Sequence, residues 1–230
     1  MLVSPTHHRS TVINSFTGSA EGDPSYVLSL ATDASERVAA VAGSEFDVRL
    51  YDRETLRLLG TAGAPAHQGR INEVCFGPAA APLLYTASSD GTIKAWDCAA
   101  GGAASPAATL RERREEVWCV SASTGHLIAA GAQNAVLIWD MRNASKPVCR
   151  WEVHTEEVSQ VRFQPGSDHV LLSGSVDGLI CALDCRCDAT LLTVRCHPVP
   201  SRMIARAVAA DAKRPAWPDT VPGTRGRTRR

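Results

Sequence analysis

The sequence predicts an all-β fold of repeated blades, a β-propeller, on three observations. Trp96-Asp97, Trp139-Asp140 and Leu183-Asp184 recur 43 and 44 residues apart, and Tyr51-Asp52 stands 45 residues before the first. His67 precedes Asp90 by 23 residues and His154 precedes Asp177 by the same 23, each also lying 29 residues before the Trp-position residue of its unit. Between these marks run apolar, β-branched stretches broken by Asp-Gly pairs. A fixed period in the low forties ending in Trp-Asp is the mark of one four-stranded blade per period.

Each unit justifies itself in turn. The first unit spans about residues 25–52 and ends at Tyr51-Asp52. The second, 67–97, opens with Ile71, Val74 and Phe76 on a strand of β-branched and aromatic residues. Asp90-Gly91 then favours a tight hairpin, because glycine accepts positive φ. The third unit, 112–140, puts Asn134 where the others have Gly, and Asn is the next best residue at positive φ. The fourth, 154–184, repeats the second through Val158, Val161, Phe163 and the turn Asp177-Gly178. The third strands, Thr92 to Trp96, Ala135 to Trp139 and Leu179 to Leu183, are mostly apolar, as expected where blade faces stack on neighbouring blades.

Three stretches fall outside the units. Residues 1–24 are polar, with Ser10 to Phe16 able to supply one ring-closing strand. Cys98 to Ala108 is a low-complexity loop. Residues 198–230 form a tail whose portion from Val199 onward holds eight Lys/Arg against two Asp/Glu, so it carries +6 and the remainder −6. Its prolines and lack of periodicity argue for disorder. A fifth unit stops near Cys196-His197 before any turn or Trp-Asp. Four units leave two blade faces without a neighbour, which exposes apolar area. An incomplete or alternatively ended chain is the favoured reading, with a partner or second copy over the open faces as the alternative.

Composition narrows the function classes. The 230 residues are 44% hydrophobic, enough for one sizeable domain, and the net charge is zero, so no global field draws the chain to nucleic acid or membrane. No apolar run approaches a membrane span. The N-terminus has no apolar stretch after His7, His8 and Arg9, which argues against a secretory signal and for an intracellular, cytoplasmic or nuclear location. Eight cysteines in a reducing compartment are expected as free thiols.

Three constellations carry candidate chemistry. His67, Thr86, Asp90 and Trp96, echoed by His154, Ser173 and Asp177, read either as a hydroxyl-imidazole-carboxylate triad or as a structural hydrogen-bond network. Recurrence favours the network, since an enzyme needs one site and a repeat needs one network per blade. The third unit lacks it, with Ala129 at the hydroxyl position and Gln133 at the Asp position. Cys181, Cys185, Cys187, Cys196 and His197 are weak metal candidates, because C-x3-C-x-C-x8-C-H is not a standard zinc spacing. The basic end Thr224 to Arg230 suits phosphate backbones or nuclear import, but no aromatic interleaves to stack bases. Glu112 to Glu116, of mixed sign, is expected as a solvated loop.

These marks resemble those of WD40 repeats. His154 to Pro165, Ser173 to Leu179, Leu50 to Glu54 and Tyr85 to Thr92 together resemble the family of WD repeat-containing protein 89 and its relatives, over roughly residues 25–185, the N-terminal half of such a protein. The resemblance implies a seven-bladed, non-catalytic scaffold that binds other proteins. No cofactor and no small-molecule substrate are implied. The alternative is an RNA- or ribosome-assembly-linked factor using the basic tail.

Overall fold

The structure, a computed structural model, describes residues 26–78, 83–98, 105–112, 115–186 and 190–195. The N-terminal segment with its expected ring-closing strand, Cys187, Cys196, His197 and the basic tail lie outside the described residues. Among the described residues, sixteen strands form four antiparallel sheets, each built from four consecutive strands in sequence order. Blade one holds β1 (Val27–Thr32), β2 (Val38–Gly43), β3 (Val48–Asp52) and β4 (Leu58–Ala62). Blade two holds β5 (Ile71–Phe76), β6 (Leu83–Ser88), β7 (Thr92–Asp97) and β8 (Ala108–Arg111). Blade three holds β9 (Cys119–Ala122), β10 (Leu127–Gly131), β11 (Val136–Asp140) and β12 (Cys149–Trp151). Blade four holds β13 (Val158–Phe163), β14 (Val170–Ser175), β15 (Leu179–Asp184) and β16 (Thr190–Arg195).

The first strands adjoin one another, β1 against β5, β5 against β9 and β9 against β13, so they line the axis and the blades fan outward. Side-chain alternation along a strand gives each blade two faces: a trailing face toward the preceding blade and a leading face toward the next. The core is accordingly divided among the joints. Ala40, Ala42, Val48 and Leu50 of blade one bury Ile71, Val74, Leu84 and Trp96 of blade two. Tyr85, Ile93, Ala95 and Leu110 meet Val120, Ile128, Leu137 and Trp139 at the second joint. Ala129, Val136 and Ile138 meet Val161, Leu171, Cys181 and Leu183 at the third. This explains why the third strands are apolar on both faces where they have two neighbours.

The hairpins joining second to third strands show which residues the turns demand. Gly91 and Gly178 take φ of 76° and 79°. A Cβ on Gly91 would also stand 2.7 Å from the Glu112 carbonyl oxygen, so space and backbone both require glycine there. In blade one the same position is Phe46, held at φ 63°. Asn134 is a correction to the sequence reading: the positive-φ residues other than glycine among the described residues are Glu36, Phe46 and Leu56. The reason is register. Ile128 pairs with Trp139, whereas Leu84 pairs with Trp96, so the hairpin of blade three is one residue shorter and turns without a left-handed residue.

Candidate functional site

The Trp-Asp positions end the third strands, as their spacing requires. Tyr51, Trp96, Trp139 and Leu183 are all buried. The following Asp works in the next turn: Asp52 accepts from the Thr55 N–H at 2.7 Å, Asp140 from the Arg142 N–H at 2.9 Å and Asp184 from the Arg186 N–H at 2.9 Å. These are side-chain-closed turns, the ordinary use of Asp after a strand. Asp97 occupies the same position in blade two.

The network in blade two assembles from two strands, β6 and β7, the hairpin that joins them and the loop that carries His67. His67 Nδ1 lies 3.0 Å from Asp90 Oδ2 and Nε2 lies 2.6 Å from Thr86 Oγ1. Trp96 Nε1–H donates to the same Thr86 oxygen at 3.1 Å. The neutral imidazole protonated on Nδ1 satisfies every contact, donating to Asp90 and accepting from Thr86. Asp90 also accepts from the Gln68 and Thr92 N–H groups at 3.0 and 2.9 Å. Burial works to raise the Asp90 carboxyl, but the bonds from His67, Thr92 and Gln68 outweigh it and hold the group well below the carboxylate range. In blade four, His154 Nδ1 lies 3.2 Å from Asp177 Oδ2 and Nε2 lies 2.8 Å from Ser173 Oγ. Leu183 brings no N–H there, so Ser173 serves His154 alone. Burial pushes His154 below its ordinary value against the pull of Asp177. Both hydroxyls are fully buried at 0% exposure, out of reach of any substrate.

Blade three departs from the sequence reading in detail. Cross-strand pairing puts Thr86 opposite Lys94, Ser173 opposite Cys181 and Ala130 opposite Leu137, two residues beyond the partner of the Trp-position residue in each case. The hydroxyl position is therefore Ala130, and Ala129 faces the other way, into the third joint. Counting back from Trp139 gave the wrong alanine because the hairpin is short by one residue. Gln133 is exposed at its tip. With no hydroxyl available, the buried Trp139 Nε1–H has no hydrogen-bond partner.

Of the cysteine candidates only Cys181 and Cys185 lie among the described residues, where no group of three or more His, Cys, Asp or Glu is gathered to hold a metal. Cys181 faces the third joint, and Cys185 packs beside the same core. Burial, with Cys149 nearby, pushes the Cys185 thiol up to about 12, and burial raises Cys181 as well. Such thiols stay protonated at neutral pH and are poor ligands and nucleophiles. The Glu112 to Glu116 loop is also corrected. Glu112 and Glu115 have side chains only 11% and 15% exposed, and they flank Arg150 at 3.8 and 3.0 Å. Glu116 remains exposed.

Sequence reasoning missed a pocket of about 260 Å³ on the axis, lined by Leu28, Arg70, Asn72, Trp118, Glu157 and Ser159. Four of these occupy one register position: Leu28, Asn72, Trp118 and Ser159 each stand two residues before Leu30, Val74, Val120 and Val161, which pair with Val41, Thr86, Ala130 and Ser173. Each blade thus contributes one residue. Arg70 and Glu157 each follow the blade histidine by three residues, so the repeat offset could have found them. The Arg70 guanidinium lies 5.6 Å from the Trp118 ring centroid. The Trp118 Nε1–H is buried and without a partner. Below the pocket, Glu73 Oε1 accepts from Arg162 Nη2 at 2.5 Å and Gln160 Nε2 at 2.9 Å, while Oε2 accepts from the Val120 N–H at 2.8 Å. One carboxylate therefore ties blades two, three and four.

Comparison with known proteins agrees with this architecture. The family model for the WD domain, G-beta repeat, matches residues 58–97 and 145–183. The chain is 34% identical over 159 residues to WD repeat-containing protein GTS1 of Arabidopsis thaliana, covering 68% of this chain and 40% of that protein. It is 32% identical over 186 residues to the WD repeat-containing protein 89 homolog of Dictyostelium discoideum, covering 80% of this chain and 48% of that protein. It thus spans a little under half the length of these curated relatives. A chain in the crystal structure of a mitotic checkpoint complex superimposes with a TM-score of 0.65 and 27% identity, over 76% of this chain and 53% of that one. No helix among the described residues is long and apolar enough to cross a membrane. With four blades among the described residues, two of them holding the His-Asp-hydroxyl network, this chain is a WD40-repeat β-propeller protein resembling WD repeat-containing protein 89.

Proposed function

We propose that the protein is a non-catalytic scaffold for protein–protein interaction, binding through the axial mouth of the blade array. The observation that carries this reading is the pocket to which every blade gives one residue of the same register. Its walls offer a recognition surface: the Arg70–Trp118 pair on one side and the exposed Glu157 on another. Aromatic and Arg residues are those that most often anchor protein interfaces. The His-Asp-hydroxyl groups fix the loops that present this mouth and are too buried to act as nucleophiles. The similar solved chain belongs to a multi-protein complex by its title, which supports the same class of role.

Capture from cell extract tests this. The intact chain should retain proteins after nuclease treatment, and Trp118→Ala with Arg70→Glu should abolish capture while leaving the far-ultraviolet dichroism unchanged. Retention that disappears with nuclease would assign the role to nucleic acid. Capture unaffected by the two substitutions would move the binding face off the axis.

A further inference from the structure

We infer, building on the scaffold reading above, that the axial mouth takes an extended protein segment of mixed charge. One Asp or Glu side chain of that segment seats on Arg70, and a Lys or Arg side chain a few residues away seats on Glu157.

Arg70 is a cation held in place without a counter-ion. Its carbonyl oxygen accepts from the Ser89 N–H at 2.9 Å, which pins its loop to the hairpin of its own blade. Its Nε–H donates to Asn72 Oδ1 at 2.9 Å. Asn72 is itself fixed, since Nδ2 donates to Ser89 Oγ at 3.1 Å and to the Val117 carbonyl oxygen at 2.8 Å. The guanidinium lies over the Trp118 ring. These partners orient the group and leave its charge uncompensated. Arg49, Arg142, Arg150, Arg162 and Arg186, by contrast, each pair with a carboxylate. With Nε occupied, the two Nη groups of Arg70 form the fork that binds a carboxylate through two parallel bonds. Blade two packs against a blade on either side, so this setting is made inside the array and owes nothing to its ends.

The opposite charge comes from the next two blades. Glu157 lines the same pocket, and its carbonyl oxygen accepts from the Val176 N–H at 3.0 Å, the counterpart of the bond that pins Arg70. Glu116 stands two residues before Trp118, as Arg70 does before Asn72 and Glu157 before Ser159, so blade three adds a second exposed carboxylate at the rim. Among the described residues neither glutamate forms an ion pair. One guanidinium and two carboxylates thus surround the mouth without neutralising one another. A partner of single sign meets repulsion somewhere on this rim, and a segment carrying both signs does not. Nucleic acid brings a phosphate at every step and no cation, so both glutamates oppose it. An extended segment advances about 3.3 Å per residue, which lets charges a few residues apart reach two walls of one pocket. Trp118, on the blade between those of Arg70 and Glu157, offers indole surface to the residues between the charges.

The test uses the intact 230-residue chain and short synthetic peptides carrying one acidic and one basic residue at varied separation. Neutral, all-acidic and all-basic peptides and a single-stranded RNA are the comparisons. Mixed-charge peptides should bind tightest, and high salt should weaken them. Replacing the acidic residue of the best peptide by its amide should weaken binding to the unaltered chain about tenfold to hundredfold, the worth of a hydrogen bond between charged groups. That measurement needs no variant of the protein. Arg70→Gln should cause a similar loss and erase the distinction between the acid and its amide, while keeping the preference for the basic residue. Glu157→Gln should do the reverse. Both positions are exposed, and far-ultraviolet dichroism checks the fold. Equal binding of neutral and mixed-charge peptides, preference for a single sign, tighter binding of the RNA, or an acid-to-amide distinction that survives Arg70→Gln would each overturn the mixed-charge partner. Failure of every peptide would overturn it as well, whereas the scaffold reading fails only if nuclease-treated extract also yields no captured protein.

Discussion

Replacing Thr86 by Val removes the hydroxyl at the centre of the blade-two network and keeps nearly the same shape. Two buried groups lose their partner at once: Trp96 Nε1–H at 3.1 Å and His67 Nε2 at 2.6 Å. Neither residue is more than 1% exposed, so water does not substitute. An unsatisfied buried polar group costs about 1–3 kcal/mol, so the variant, which leaves two, should lose about 2–6 kcal/mol. Ser173→Ala provides the internal comparison, because only His154 loses a bond there and the cost should be about 1–3 kcal/mol. Thr86→Ser keeps the oxygen and should forfeit only about 1 kcal/mol for the methyl group. Urea unfolding followed by far-ultraviolet dichroism measures all three. A loss at Thr86→Val below about 1 kcal/mol, or no greater than that at Ser173→Ala, would refute the view that the hydroxyl holds the blade.

Acid should destabilise the fold in two stages. His154 is held below its ordinary value of 6.5, so the unfolded chain binds the extra proton; stability is full above that pH and falls as pH drops below it. Asp90 and Asp177 are held below 3.8, so their contribution persists above that value and is lost beneath it. Urea midpoints from pH 8 to 3 should show both steps, and His154→Gln should flatten the first while weakening the Asp177 share of the second. Ala130→Ser should raise stability by about 0.5–1.5 kcal/mol by giving the Trp139 N–H an acceptor; a loss in the same assay would count against the register that places it there. Phe46→Gly should stabilise by up to about 1 kcal/mol, since a bulky residue at positive φ costs about 1–2 kcal/mol and glycine returns part of that gain as chain entropy. Thermal unfolding of the two proteins side by side checks it.

The blade order and the network were legible because both are periodic. His67 and His154 stand at the same offset from Asp90 and Asp177, and strands of fixed length turn equal offsets into equal geometry. Where a strand connection changed length the offset failed, and Ala129 stood in for Ala130. The Glu112 to Glu116 loop read as solvated because its counter-ion, Arg150, lies 35 residues beyond Glu115 and only the fold brings them together. The Glu73–Arg162 pair, 89 residues apart, leaves no local trace for the same reason. The axial pocket is a different case. Arg70 and Glu157 repeat at three residues past each histidine, yet they differ in charge, and a search for likeness between repeats passes over positions that share only a place.

The clamp formed by Glu73 gives the array an uneven grain. A row of blades joined only to nearest neighbours loosens from either end with equal ease. Here one carboxylate reaches past blade three to Arg162 and Gln160 of blade four, so blades two to four share a bond that no single joint contains. Blade one meets the rest through its joint with blade two, where the Val74 N–H donates to Ser29 Oγ at 3.1 Å. Opening of the molecule therefore starts at blade one and halts at the clamp, leaving three blades as the last cooperative unit to melt.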